Sequence, residues 1–87
     1  MHELIFGGQF LKSAEKLDKR IKPKLKSSLD VLAENPFHLK LQTKSLSGKL
    51  SGHYSFRLGK DYRVIFKITS DNTVFLLKVG NRKDIYR

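Results

Sequence analysis

Between His53 and Ile68 the residues alternate with a period of two, and the alternation breaks once, at Gly59-Lys60-Asp61. In the first run the even positions are Tyr54, Phe56 and Leu58, and the odd ones are His53, Ser55 and Arg57. In the second, Tyr62, Val64, Phe66 and Ile68 alternate with Arg63, Ile65 and Lys67. Successive side chains on a strand point to opposite faces, so each run predicts a half-buried strand. A three-residue loop at Gly59-Lys60-Asp61 makes the pair a hairpin and sets its register. Leu58 then lies opposite Tyr62, Arg57 opposite Arg63, Phe56 opposite Val64, and Ser55 opposite Ile65. All even residues share one face and all odd residues the other. A hairpin with one greasy face is not stable alone, so the rest of the chain has to cover it.

The remaining elements are read against that need. Val74 to Val79 predicts a third strand. With Asp71-Asn72 as a two-residue turn, Ile68 pairs with Phe75, Phe66 with Leu77 and Val64 with Val79. That register sends Phe75, Leu77 and Val79 to the core and leaves Lys78 on the odd face. Upstream, Phe10, Ala14, Leu17 and Ile21 follow at steps of four, three and four, which predicts a helix over Gln9 to Lys19 with one apolar stripe. Leu25, Leu29 and Leu32 predict a second, with Pro23 in its first turn and Asn35-Pro36 as its stop. His2 to Phe6, ended by Gly7-Gly8, predicts an edge strand. The segment from Phe37 to Leu50 is irregular, and Ser47 to Gly52 is loop-like in composition. The expected architecture is α+β: a helical hairpin packed on a small, twisted, mostly antiparallel sheet.

Composition narrows the function. The chain has 87 residues, which predicts one domain over 1–87 with surface or shallow-groove chemistry. Hydrophobic content of 39% and charged content of 30% lean toward disorder, but a disordered polyelectrolyte needs neither helical spacing nor strand alternation. Eighteen Lys and Arg against eight Asp and Glu leave a net charge of +10, which points to a polyanionic partner. The absence of cysteine excludes a disulfide scaffold, Cys-ligated zinc and thiol catalysis. No apolar run approaches a membrane span, and the N-terminus lacks a signal-peptide core, so no membrane contact and a cytoplasmic location are expected. His2, His38 and His53 lack metal-ligand spacing, so neither a metal nor another cofactor is expected. Gly48, Gly52 and Gly59 make no nucleotide-binding fingerprint. Lys19, Arg20, Lys22, Lys24 and Lys26 form a dense basic run, read either as a track for a nucleic-acid backbone or as a solvated face.

The hairpin register has a chemical consequence. Arg57 and Arg63 become directly opposed neighbours, a placement in which like charges destabilise a strand pair unless something offsets them. An antiparallel final strand brings Gly80-Asn81-Arg82 beside the start of the Arg63 strand, with Tyr86 one short segment later. Three guanidiniums and a phenol on one patch fit a phosphate, because arginine offers oxyanions a bidentate fork. The alternative is a set of solvated surface arginines paired with Asp61 or Asp84. His53, Ser55 and Lys78 share the odd face and, with Asp61, are the candidate RNA-contacting residues; the alternative for His53 is an ordinary strand-end polar residue.

These residues resemble a known family. Lys44-Ser45-Leu46-Ser47-Gly48, the run from Gly52 to Phe66, and Val79-Gly80-Asn81-Arg82-Lys83-Asp84-Ile85-Tyr86 are similar to the RelE/ParE toxin superfamily. Its pattern runs from a Leu-x-Gly turn through a Tyr-Arg strand to a closing Val-Gly-x-Arg segment that ends in Tyr. The resemblance implies a toxin of a type II toxin–antitoxin pair, with a cognate antitoxin as partner and operator DNA bound only through the antitoxin complex. RelE-like members cleave mRNA on the ribosome; ParE-like members inhibit DNA gyrase. It also implies residue roles. Arg57 matches a basic position near the scissile phosphate, Arg63 an arginine that stabilises the transition state, Arg82 the basic residue of the closing motif, and Tyr86 its terminal aromatic. Asp61 matches an acidic position that is functional in some members. Ser55 stands where one branch carries lysine, and Asn81-Arg82 where others carry histidine. The match of Arg57, Arg63, Arg82 and Tyr86 favours a metal-independent endoribonuclease, with a gyrase inhibitor as the alternative and a non-enzymatic antitoxin- or DNA-binding chain as a third reading.

Overall fold

A computed structural model describes residues 1–86. In chain order the elements are β1 (Glu3–Phe6), α1 (Gly8–Glu15), α2 (Lys22–Glu34), β2 (Lys44–Ser45), β3 (Tyr54–Leu58), β4 (Tyr62–Ser70) and β5 (Thr73–Asn81). Short 3-10 turns at Leu39–Leu41 and Gly48–Leu50 flank β2. The strands form one sheet in the order β1-β5-β4-β3-β2, antiparallel except for the β1–β5 pair. None of the described helices is long and apolar enough to cross a membrane. The fold is the expected α+β arrangement, two helices on a small, mostly antiparallel sheet.

The core lies between the helices and the even face of the hairpin. Phe10, Leu17, Leu25 and Leu32 from the helical half meet Phe56, Leu58, Val64, Phe66, Val74, Leu76 and Val79 from the sheet. Burial of this order, at about 25 cal/mol per Å² of apolar surface, is the term that holds so small a chain together. Helix α1 is shorter than its periodicity. It tightens into i→i−3 bonds at Lys16 and Leu17, and Asp18 then accepts from the backbone N–H of Arg20 at 2.9 Å. That side-chain turn ends the helix while keeping Leu17 and Ile21 on the apolar side. Helix α2 has Pro23 in its first turn and stops at Asn35, which is extended before Pro36 as proline requires.

The β3–β4 register is the predicted one, residue for residue from Leu58↔Tyr62 to Ser55↔Ile65. Gly59 adopts φ +64 in the loop, a conformation that glycine takes without strain. The β4–β5 hairpin departs from expectation. Ser70 pairs with Thr73 across the Asp71-Asn72 turn, but the register then shifts, giving Ile68↔Val74, Lys67↔Phe75 and Phe66↔Leu76. It shifts back at Ile65↔Lys78 and Val64↔Val79. Two irregularities, one skipping Thr69 on β4 and one skipping Leu77 on β5, cancel. The core residues of β5 are therefore Val74, Leu76 and Val79, while Phe75 and Leu77 are only half-buried. A single strand of mixed pattern thus satisfies both ends of the sheet, at the cost of two unpaired residues.

Where β1 turns into α1, Gly7 is wedged against β5. A Cβ at this position would stand 2.8 Å from the Leu76 carbonyl oxygen and 2.9 Å from the Phe75 ring. The Gly7 N–H also donates to that carbonyl at 3.0 Å. Gly7→Ala is expected to destabilise the fold by about 1–3 kcal/mol through overpacking, read as a lowered urea midpoint. Gly8→Ala meets no atom within 4 Å and serves as the neutral comparison.

Candidate functional site

The odd face of the hairpin is only partly open. Arg57 and Arg63 point to it in direct opposition, as the register requires. Between the strands on the same face, Ser55 is 4% exposed and Ile65 is fully buried. The C-terminal segment reaches Ser55, through the Tyr86 hydroxyl. After β5 the chain turns at Asn81, whose carbonyl accepts from the N–H groups of Asp84 and Ile85 at 2.9 Å each. Ile85 is then 4% exposed, with its Cδ1 3.2 Å from where a Cβ on Gly80 would stand. Gly80 lies opposite Arg63 in the sheet. A side chain there would require the end of Ile85 to give by a few tenths of an ångström.

This fold-back builds a cleft of about 500 Å³. Arg57, Arg63, Arg82 and Tyr86 line it together, with Ser55 at its floor. Each is held by a specific contact. The Arg57 guanidinium donates from Nη1 to Gln42 Oε1 at 2.9 Å, and Arg63 donates from Nη1 to the Tyr62 carbonyl at 2.8 Å. The two opposed guanidiniums are thus anchored by separate, uncharged acceptors, which sets their directions without neutralising them. Among the described residues neither has a carboxylate within ion-pairing distance. Arg82 is fixed through its backbone N–H, which donates to the Asp61 carbonyl at 2.8 Å. Its Nε lies 3.9 Å from Asp61 Oδ1, with both side chains about half exposed, a surface pair of little energetic weight. The Tyr86 hydroxyl donates to Ser55 Oγ at 3.1 Å, and its side chain remains substantially exposed beside the cleft.

Asp61 therefore sits at the rim beside Arg82, and Ser55 is buried beneath Tyr86 as its hydrogen-bond partner. His53 and Lys78 do not line the cleft. His53 contacts the Ser51 carbonyl through Nδ1 at 3.4 Å in the preceding loop, and Lys78 pairs with Ile65 farther along the sheet. Three lining residues escape the sequence reading: Gln42, Lys44 and Lys83. Gln42 occupies the left-handed region at φ 52 and ψ 47, where it ends a 3-10 turn. Lys44 pairs with Ser55 across β2 and β3. Lys83 was available as the neighbour of Arg82 in the closing segment. The cleft gathers five cations, and no Asp or Glu among the described residues lines it. Among the described residues no three His, Cys, Asp or Glu side chains are grouped to hold a metal ion. Fixed, unneutralised guanidiniums in a concave site suit a phosphate or a trigonal-bipyramidal phosphorane, whose oxygens take paired N–H donors.

Comparison with known proteins identifies the family. Residues 4–86 match the model of the ParE toxin of type II toxin–antitoxin systems, parDE. No curated protein sequence matches significantly. Among solved structures, the chain is similar to YafQ from E. coli, with a TM-score of 0.82 and 22% identity over 100% of both chains. It is also similar to a chain of the toxin–antitoxin complex RelBE2 from Mycobacterium tuberculosis, with a TM-score of 0.77 and 26% identity over 93% of this chain and 98% of that one. A third likeness is to the archaeal RelE–RelB complex from Pyrococcus horikoshii, with a TM-score of 0.76 and 26% identity over 95% of this chain and 97% of that one. The chain belongs to the ParE toxin family of type II toxin–antitoxin systems, within the RelE/ParE superfamily.

Proposed function

We propose that this toxin is an endoribonuclease that cuts mRNA on the ribosome, with the 2′-OH of the RNA itself as the nucleophile. The observation that carries this reading is the opposed pair Arg57 and Arg63, held by Gln42 and the Tyr62 carbonyl in a cleft that no Asp or Glu among the described residues lines. Two like charges in cross-strand contact are unfavourable until an anion lies between them. A phosphate satisfies both, and a phosphorane with its extra negative charge satisfies them better, which is the differential binding that catalysis needs.

In the step proposed, the 2′-oxygen attacks the adjacent phosphorus and gives its proton to water, while the P–O5′ bond breaks and the leaving 5′-oxygen takes up a proton from water. The products are a 2′,3′-cyclic phosphate and a 5′-hydroxyl. Arg57, Arg63 and Arg82 hold the phosphate and neutralise the developing charge. Arginine is a permanent cation, so these groups act as clamps and not as bases. Tyr86, fixed by Ser55 at one edge of the cleft, positions the nucleotide. The proposed action needs no metal, which is consistent with a lining of cations and neutral donors. We place it in the cytoplasm, where the ribosome is, and assign a cognate antitoxin as the protein that silences it. The solved relatives RelBE2 and the archaeal RelE–RelB pair are such complexes.

The matched family model, described for ParE toxins, favours a second reading as a non-enzymatic gyrase inhibitor. One experiment separates the two. Purified toxin added to a translation extract is expected to cut the mRNA at codon-spaced positions, mapped by primer extension, and to leave gyrase supercoiling intact. Blocked supercoiling with uncut mRNA would reverse the assignment.

A further inference from the structure

We infer that a second basic cleft, on the α2 side of Arg57, binds the phosphate backbone of the RNA strand that enters the arginine cleft. The inference rests on the nuclease reading and extends it from one phosphate to a strand. This second cleft has a volume of about 400 Å³. Lys24, Ser27 and Ser28 line it from α2, Lys40 from the 3-10 turn after α2, and Gly59 from the β3–β4 loop. Arg57 lines it too, and so forms the wall shared by both clefts. A polyanion that leaves the arginine cleft across Arg57 therefore meets further cations at once.

The helix explains why this is a built surface and not a scatter of lysines. Lys24, Ser27 and Ser28 are three and four positions apart, which stacks them on one face. Leu25 and Leu32 beside them are buried in the core and fix the orientation of the helix. Of the basic run Lys19, Arg20, Lys22, Lys24 and Lys26, only Lys24 lines the cleft. Its ammonium lies 4.0 Å from the place a Cβ on Gly59 would occupy, so it spans from α2 to the loop between the two arginine strands. The lining offers two ammonium groups, a guanidinium and two hydroxyls, and no acidic side chain among the described residues. Such a set donates to an anion, as a strand of phosphates requires.

The test is equilibrium binding of labelled single-stranded RNA, fully 2′-O-methylated so that it cannot be cut, measured by anisotropy across a sodium chloride series. The strand is about 12 nucleotides long, within the usual range for single-strand sites. For Lys24→Ala/Lys40→Ala the slope of log affinity against log salt is expected to fall in magnitude by about 1.4, at about 0.7 for each lost contact. A dinucleotide, which fills only the arginine cleft, is expected to bind the variant and the wild type alike. Lys12→Ala/Lys16→Ala removes one cation from α1 and one from its C-terminal cap, and is expected to keep the full slope. An unchanged slope in the α2 variant, or an equal fall in both variants, overturns the inference. A fall in polyglutamate binding with the RNA slope unchanged assigns the cleft to an acidic protein segment, and overturns it as well. Because the strand is uncleavable, the result is independent of the nuclease reading, which stands or falls on the translation extract.

Discussion

Arg63→Ala is expected to leave the protein folded and to slow RNA cleavage by roughly 10²–10³ in a single-turnover assay, the cost of one oxyanion donor worth about 2.7–4 kcal/mol. The size follows from placement. Arg63 stands in the sheet between Arg57 on β3 and Gly80 on β5, so its guanidinium has a cationic neighbour on one side and no side chain on the other. Its Nη1 donates to the carbonyl of Tyr62, the residue before it, which directs that nitrogen and leaves other N–H donors for a ligand. The fold should not suffer. Arg63 projects away from the main core, and its removal relieves the opposition with Arg57. The thermal midpoint is expected to stay level or rise slightly. Arg63→Lys keeps the charge and loses the planar fork, so its rate should fall between the two. A folded Arg63→Ala protein with full cleavage activity would remove the centre of the proposed mechanism.

Much of this site can be read from the sequence because one hairpin carries it. The Gly59-Lys60-Asp61 loop is short enough to set a single register, and strict alternation on both sides leaves no second choice. Arg57 and Arg63 therefore had to meet, and an antiparallel final strand had to return Arg82 to them. The second hairpin shows the limit. A two-residue turn at Asp71-Asn72 is correct, yet the core of β5 is Val74 and Leu76 where alternation from the turn names Phe75 and Leu77. Compensating bulges have no sequence mark here, since neither Thr69 nor Leu77 is a glycine. Side-chain packing against α1 and β1 decides between the two sets.

Two other features were hidden for different reasons. Lys44 lies on a strand of two residues, too short for any period to show. Gln42 reaches Arg57 because its backbone is left-handed, and nothing about a glutamine between Leu41 and Thr43 announces that. Ile65, by contrast, was a signal in plain view. It is an apolar residue between the His, Ser, Arg and Lys side chains of the odd face, and such a residue implies a cover. The C-terminal segment folds back on this side of the sheet, with Ile85 buried beside Gly80 and Tyr86 at the rim of the cleft.

A single 2′-deoxy substitution at the cleaved nucleotide is expected to drop cutting below detection, and the same substitution one position away is expected to leave it unchanged. An intramolecular nucleophile already held beside its phosphorus can be worth an effective molarity of 10⁵–10⁸ M. The proposed mechanism relies on that advantage, with the cleft supplying charge and orientation. Among the described residues there is no grouping of His, Cys, Asp or Glu to hold an ion, and no carboxylate lines the cleft to activate water in its place. Cleavage by the purified toxin is therefore expected to survive saturating EDTA on a substrate whose presentation does not need magnesium. The 5′ fragment should carry a 2′,3′-cyclic phosphate or the 3′-phosphate formed from it, identified by mass spectrometry. The neighbouring-position control matters, because loss of a hydroxyl can also weaken binding. Only loss of the attacking group abolishes the chemical step while affinity for the strand is retained. If the deoxy strand is still cut, the nucleophile is water or a protein group, and the arginines serve binding alone.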